Sequence, residues 1–567
     1  MPILESAVAA TSSEFELNKA NMEAALNELR ALEKRTRDAS AKAAPSFAKR
    51  GQLLPRDRVA LLLDAGSPFL ELSTLAGYMQ DGQKADKSIP GGGIIAGLGY
   101  VSNTLCMVVA SDSGIEAGAL QAMGIEKMQR AQDIALENKL PFINLGESAG
   151  ANLLKYKVEH FILGGGNFYR LAKLSAAGLP VVNVLHGSST AGGAYIPGLS
   201  DVVIMVRERA RAFLAGPPLL KAATGEIATD EELGGADMHC SISGLGDYIA
   251  DDDRHAIALA REVMAKIDWN NSNRNVLPAL NENAPAPRYP SEELLGVMPA
   301  DIKTPVNMRE VIARIVDDSD FLEFKAGYGS ATLCGYAKLM GVSIGIISNL
   351  GPIDTAGATK ATHFIQSCCQ TKTPIIYLQN TTGYMVGKEA EQGGIIKHGS
   401  KMIQAVSNAT VPQITVLCGA SFGAGNYGMC GRAFGPRFVF AWPNSKTAVM
   451  GAEQAAGTMA TVMQASAAFS DRSTSGSAPY SAAAPHGAST NPAPPPQSTP
   501  HSSPAATNPP ASTPAPAHSR HQNTAHTPRS TAPASLHSRN THSKTRSAPS
   551  QSPPASPASP DCPSPRD

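Results

Sequence analysis

V-V-N-V-L-H-G-S-S-T-A-G-G-A-Y (Val181 to Tyr195) and Q-I-T-V-L-C-G-A-S-F-G-A-G-N-Y-G (Gln413 to Gly428) share one pattern. Each opens on a β-branched and aliphatic run, the mark of a strand buried in a sheet, and passes into a Gly- and Ala-rich loop, Gly187 to Tyr195 and Gly419 to Gly428. A loop that leaves a buried strand in this way opens a helix, whose first backbone N–H groups have no partner inside the helix. Small residues let a carbonyl group come close to that backbone, so the loop is suited to holding a developing oxyanion on main-chain donors.

The elements upstream of the two loops recur in the same order. Before the first come strand L-C-M-V-V-A (Leu105 to Ala110), a helix through Lys127 to Ala135, strand L-P-F-I-N-L (Leu140 to Leu145) and the turn E-S-A-G-A-N (Glu147 to Asn152). Before the second come strand V-S-I-G-I-I-S (Val342 to Ser348), helix Thr359 to Gln370, strand T-P-I-I-Y-L (Thr373 to Leu378) and the turn N-T-T-G-Y (Asn380 to Tyr384). Strand, Gly turn and helix in series predict an α/β fold, and the repetition predicts two tandem domains. At 567 residues the chain needs more than one core in any case, since single cores stop growing near ~250 to 300 residues. The division that follows is an N-terminal amphipathic helix in 1–45, domains at 46–275 and 292–464, a Pro- and Asn-rich linker at 276–291, and a tail at 465–567. In the N-terminal helix Leu17, Met22, Leu26, Leu29 and Leu32 supply the apolar spacing.

Net charge is zero and only 17% of residues are charged, so no basic field exists to hold nucleic acid or an anionic membrane. The longest apolar stretches are broken by Gly, Ser, Asn and Pro, unlike a membrane helix of ~20 apolar residues. The N-terminus has no basic and apolar leader, which predicts a cytoplasmic protein. Eight cysteines show no C-x-x-C pair, and Cys368 and Cys369 read as core or helix residues. His186, His363 and His398 lack metal-ligand spacing, so no metal is expected. Gly91 to Gly93 and Gly164 to Gly166 read as flexible turns without phosphate-loop context, and Ser188 and Ser421 lack the G-x-S-x-G elbow. With no Ser/His/Asp set evident, the chemistry rests on backbone donors.

Long motifs in one order identify a family resemblance from about Arg50 to Met463. They include R-G-Q-L-L-P-R-D-R-V (Arg50 to Val59), G-S-P-F-L-E-L (Gly66 to Leu72), S-S-T-A-G-G-A-Y-I-P (Ser188 to Pro197) and F-L-A-G-P-P-L-L-K-A-A-T-G-E (Phe213 to Glu226). The second half adds L-Q-N-T-T-G-Y-M-V-G (Leu378 to Gly387), G-A-G-N-Y-G-M-C-G-R (Gly423 to Arg432) and V-M-G-A-E-Q-A-A (Val449 to Ala456). The chain resembles the carboxyltransferase β subunits of methylcrotonyl-CoA and geranyl-CoA carboxylases, which implies two crotonase-like domains. It further implies that Gly192 and Gly193 hold the thioester oxygen of an acyl-CoA as it becomes an enolate, and that Gly423 and Ala424 hold the ureido oxygen of biotin. In this family biotin is the base, in keeping with the missing side-chain base. Since no A-M-K-M-like biotinylation site is present, biotin is expected on a partner, the α subunit with biotin carboxylase and carrier functions. Active sites between copies imply a homo-oligomer.

Where methylcrotonyl enzymes carry G-T-Y-Y, this chain has G-A-L at Gly118 to Leu120, and Gly164 to Gly166 replaces bulkier residues. Ala119 and Gly165 are therefore expected to widen an acyl pocket toward geranyl-CoA, with methylcrotonyl-CoA or propionyl-CoA as alternatives. A decarboxylase subunit running the transfer in reverse, or a non-catalytic assembly protein of the same fold, is the remaining rival. From Ala465 onward Ser, Pro, Thr and Ala dominate, four residues whose codons share a middle C. This predicts a disordered tail produced by out-of-frame translation, and a second domain short of its final elements.

Overall fold

The structure, a computed structural model, describes residues 3–474 except 81–82, 120, 149, 151–156, 271–279 and 302. Part of the expected linker and the tail from 475 onward lie outside the described residues. The first part of the expected tail instead continues the last helix, Ala452–Thr474.

The chain forms two mixed sheets. The first contains β1 (Leu70–Glu71), β2 (Ile94–Val101), β3 (Thr104–Ser111), β4 (Phe142–Ser148), β5 (Val181–Thr190), β6 (Val202–Val206), β7 (Arg211–Phe213) and β8 (Tyr248–Ala250). Their order is β1-β2-β3-β4-β5-β6-β8, with β7 also on β5. The second contains β9 (Leu322–Glu323), β10 (Thr332–Leu339), β11 (Val342–Asn349), β12 (Ile375–Thr381), β13 (Gln413–Phe422), β14 (Phe438–Ala441) and β15 (Lys446–Ala448), in the order β14-β13-β12-β11-β10-β9 with β15 on β13. Apart from β8, strand follows strand in the same arrangement. Even the register irregularity recurs, at Gly146 to Ser148 in β4 and at Gln379 to Thr381 in β12. The duplicated α/β crotonase-like architecture read from the sequence is present.

Parallel strands β3, β4, β5 and β6 are covered on both faces, as their Val, Ile and Leu runs require. Alternate residues face opposite layers. Ile143, Leu145, Val182 and Val184 pack with Val59, Leu62, Ala256 and Ile257 of helices Pro55–Leu62 and Asp253–Ile267. Met107, Val109, Phe142 and Val181 pack with Met128, Ala131, Leu171 and Leu174 of helices Ala122–Asn138 and Gly166–Ala176. Each Val, Leu, Ile, Met or Phe among them contributes roughly 1.5–3 kcal/mol by leaving water. In the second sheet helices Thr355–Thr371 and Ile395–Ser407 cover one face. The N-terminal helix Ser13–Ala41 covers the other, beside the short helices Leu294–Val297 and Arg309–Ala313. Ser12 caps it, its side chain accepting from the Phe15 N–H. Its buried stripe is Phe15, Asn18, Met22 and Leu32, whereas Leu17 falls off that stripe and is exposed.

Three sequence expectations change. β5 and β13 continue through Gly187 to Thr190 and Gly419 to Phe422, because Ser188 to Thr190 pair with β7 and Ala420 to Phe422 with β15. The Gly-rich loops are correspondingly shorter. Glu147 and Ser148 likewise belong to β4 and not to a turn. Gly164 to Gly166 is helical backbone joining helix Val158–Gly164 to helix Gly166–Ala176. Arg130 links the two halves, its guanidinium donating to the carbonyls of Pro436 and Arg437. None of the described helices is long and apolar enough to cross a membrane.

Candidate functional site

The ends of β5 and β13 correspond in their strand pairing. Both pair with their outer strands three residues before the turn, and both are followed by a residue in the left-handed region, Ala191 at φ 52° and Gly423 at φ 53°. That conformation is uncommon for alanine, so the same backbone bend is kept even where the side chain disfavours it. The bend starts a helical turn at once, Ala191–Ala194 in the first half and Gly425–Gly428 in the second. Gly192 thus corresponds to Ala424, Gly193 to Gly425 and Tyr195 to Tyr427.

The family resemblance pairs Gly423 with Ala424; the Gly423 N–H donates to the Ala448 carbonyl at 2.9 Å. The N–H groups of Ala424 and Gly425 find no acceptor among the described residues, and they are the pair aligned with Gly192 and Gly193. Gly425 must be glycine for a separate reason: a Cβ there would lie 2.8 Å from Gly383 Cα and 3.0 Å from Thr381 Cγ2. An N–H pair left free at the start of a helical turn fits an oxyanion or a urea-type carbonyl oxygen.

Beneath the first turn sits a buried ionic network that the sequence did not disclose. Arg58, 1% exposed, donates through Nε to Asp253 Oδ2 (3.0 Å) and through Nη1 to Glu147 Oε2 (2.5 Å). Asp253 also accepts from His186 Nδ1 (2.8 Å) and from the Leu53 N–H (2.7 Å). Burial works to raise the Asp253 carboxyl, but the hydrogen bond from His186, then the Arg58 charge and the Leu53 N–H, outweigh it and hold the group below the usual carboxylate range. Burial and then the Arg58 charge push His186 below its ordinary value. With Nδ1–H on a carboxylate, Nε2 is the bare nitrogen; it is buried and meets no hydroxyl. This His–Asp pair therefore lacks the serine of a hydrolase triad and cannot reach a substrate.

The second turn rests on neutral groups. Ser421 Oγ donates to Gln379 Oε1 (2.6 Å) and accepts from Asn426 Nδ2 (2.7 Å), while Gln379 Nε2 donates to the Met429 carbonyl (2.7 Å). Asn380 Oδ1 accepts from the Ala420 N–H (3.2 Å).

Of the expected acyl-pocket residues, Ala119 adjoins the end of β4, where Ser148 Oγ donates to the carbonyl of neighbouring Gly118 (2.8 Å). Gly165 is exposed at the junction of its two helices. The residue of that segment that reaches the first turn is Phe168, whose Cζ lies 3.7 Å from where a Cβ on Gly192 would be and whose ring meets Tyr195 edge-on. It went unmarked because one aromatic on an amphipathic helix carries no signal of its own. His363 and His398 stand apart, beside Lys325 and Thr359.

Two equivalent turns thus present main-chain N–H groups at equivalent strand ends. The carboxyl transferase domain family matches residues 47–487, past Met463, and the chain belongs to that family. It is 47% identical over 467 residues to a probable biotin-dependent acyl-coenzyme A carboxylase beta2 subunit of Mycobacterium tuberculosis, covering 82% of this chain and 86% of the relative. It is 45% identical over 480 residues to a probable mitochondrial methylcrotonoyl-CoA carboxylase beta chain of Drosophila melanogaster, covering 82% of each. The crystal structure of the Pseudomonas aeruginosa geranyl-CoA carboxylase beta subunit matches with a TM-score of 0.76 and 51% identity, over 82% of this chain and 86% of that one.

Proposed function

We propose that this chain is the carboxyltransferase subunit of a biotin-dependent acyl-CoA carboxylase acting on an unsaturated, branched acyl-CoA, geranyl-CoA first. The observation that carries the reading is the matched pair of turns whose N–H groups have no acceptor among the described residues. Gly192 and Gly193 bind the thioester oxygen and stabilise the negative charge it gains when the substrate loses a proton. Ala424 and Gly425 fit the ureido oxygen of biotin and hold it in place. When bound, carboxybiotin on a partner α subunit supplies the carboxyl group and the base.

Val158, Phe161, Ile162, Leu163 and Tyr195 are exposed in the region of the first turn, and Val386, Tyr427 and Val449 in that of the second. Exposed apolar groups on both favour a homo-oligomer in which a second copy of the chain covers them. A cytoplasmic setting suits the intracellular acyl-CoA substrate. The test is carboxylation by the assembled enzyme, with its biotin-carrying partner, ATP and bicarbonate, across geranyl-, methylcrotonyl- and propionyl-CoA. Geranyl-CoA should be used best, and Ala119→Phe should depress it by ~10-fold or more relative to methylcrotonyl-CoA, since overpacking costs ~1–3 kcal/mol. No transfer to any of the three refutes the function, and equal losses on both substrates remove Ala119 from the acyl pocket.

A further inference from the structure

Glu147, the penultimate residue of β4, is bonded to Gln52, Arg58 and Ser113 beside the strand that leads to the first turn. Its side chain lies flat on β5 at Gly187, where a Cβ would stand 2.6 Å from Glu147 Cγ and 2.8 Å from Oε1. Oε2 accepts from Arg58 Nη1 (2.5 Å) and Ser113 Oγ (2.8 Å), and Oε1 from Gln52 Nε2 (3.3 Å). Gln52 Nε2 in turn donates to the His186 carbonyl (2.9 Å), on the residue before Gly187. The main chain of Glu147 is also engaged: its carbonyl oxygen would be 2.4 Å from a Cβ on Gly118, which has φ 70° and precedes Ala119. One residue thus clamps the strand that delivers Gly192 and Gly193, and also abuts the segment that carries Ala119.

The second half contains the uncharged counterpart. Asn380 Oδ1 lies 2.4 Å from where a Cβ on Gly419 would be, and Gly419 is the residue of β13 that aligns with Gly187. The same wedge is built twice, as a carboxylate bound to Arg58 in the first half and as a neutral amide in the second. Without the Glu147 carboxylate the buried Arg58 keeps Asp253 on Nε but loses the charged acceptor of its Nη1, so loss of the Glu147 charge disturbs the first turn specifically.

We propose that Glu147 is a positioning residue for the acyl-CoA side of the reaction: held by Arg58 and Ser113, it sets the first turn and the Ala119 wall in register with each other. This rests on the assignment of the first turn to the acyl-CoA. Glu147→Gln keeps the shape and removes the charge. In the assembled holoenzyme it should lower kcat/KM for the acyl-CoA by ~10- to 100-fold, because sub-ångström misplacement of binding groups is costly in rate. The KM for the biotin-carrying partner should stay within about twofold. Ser113→Ala, a milder change, should lower the same parameter by a few fold. Combined with Glu147→Gln it should add nothing, since both act through one contact.

An unchanged acyl-CoA kcat/KM in both single variants overturns the proposal. So does a loss shared equally by the partner's KM, or simple additivity in the double variant. A wild-type holoenzyme inactive on every acyl-CoA refutes the underlying function and this inference with it, whereas a wild type active beside an indifferent Glu147→Gln refutes this inference alone.

Discussion

Beneath the turn at Gly192 stand Arg58, Asp253, Glu147 and a neutral His186; beneath the turn at Ala424 stand Gln379, Asn380, Ser421 and Asn426. Above these foundations the backbones agree, down to left-handed residues at φ 52° and 53°. The main-chain geometry is therefore what both halves preserve, over polar supports that differ from one half to the other. That is what a site built on N–H donors requires, since the donors belong to every residue type except proline. The difference in support also means that the two turns answer differently to changes of charge.

A second pair of counterparts sharpens the comparison. Lys127 and Lys360 occupy the sixth position of helices Ala122–Asn138 and Thr355–Thr371, each near an Arg–Glu pair, Arg56–Glu71 and Arg309–Glu323. Lys127 donates to the Ile94 carbonyl, whereas Lys360 Nζ is buried without a hydrogen-bond partner among the described residues, 3.8 Å from Glu323. Burial, only partly offset by Glu71, lowers Lys127 from 10.5 to about 8. Between these values the unfolded chain binds more protons than the folded one, so stability rises with pH from about 8 to 10.5 on account of this group. Relative to Lys127→Met, the wild type should gain on the order of 1–3 kcal/mol across that window in urea melts. Parallel slopes for the two proteins would mean that Lys127 is not desolvated as described.

A smaller effect tests the turns themselves. Gly423→Ala makes the second turn match Ala191 of the first. It should cost about 1 kcal/mol of stability, from the left-handed φ and a Cβ 3.1 Å from the Val449 carbonyl oxygen. Carboxyl transfer should persist, because the Gly423 N–H is bonded to Ala448. A large loss of activity with a normal melting curve would restore Gly423 as a donor.

The duplicated architecture was legible because strand, Gly-rich turn and helix are written in contiguous stretches, twice, in one order. The extent of β5 and β13 was not, since Ser188, Ser189 and Thr190 look like loop until β7 is known to pair with them. The choice between Gly423 and Gly425 was equally hidden: composition tells where backbone is accessible, not which N–H is already bonded. The ionic network escaped for a different reason. Arg58 is 89 residues from Glu147 and 195 from Asp253, and each of the three is unremarkable in its own neighbourhood.

The central claim is that this chain alone carries both oxygen-binding turns and needs a partner only for the biotin it serves. The direct measurement gives the folded chain carboxylated geranyl-CoA as donor and free biotin as acceptor, without ATP, alongside Ala424→Pro. Residue 424 has φ −69°, which proline adopts, so the substitution deletes one N–H with little backbone change. The account predicts transfer by the wild type, a loss on the order of 10²- to 10³-fold in the variant with acyl-CoA affinity nearly unchanged, and no fixation of bicarbonate by the single chain given ATP. Transfer by a folded Ala424→Pro at the wild-type rate, or ATP-dependent carboxylation by the chain alone, would contradict it.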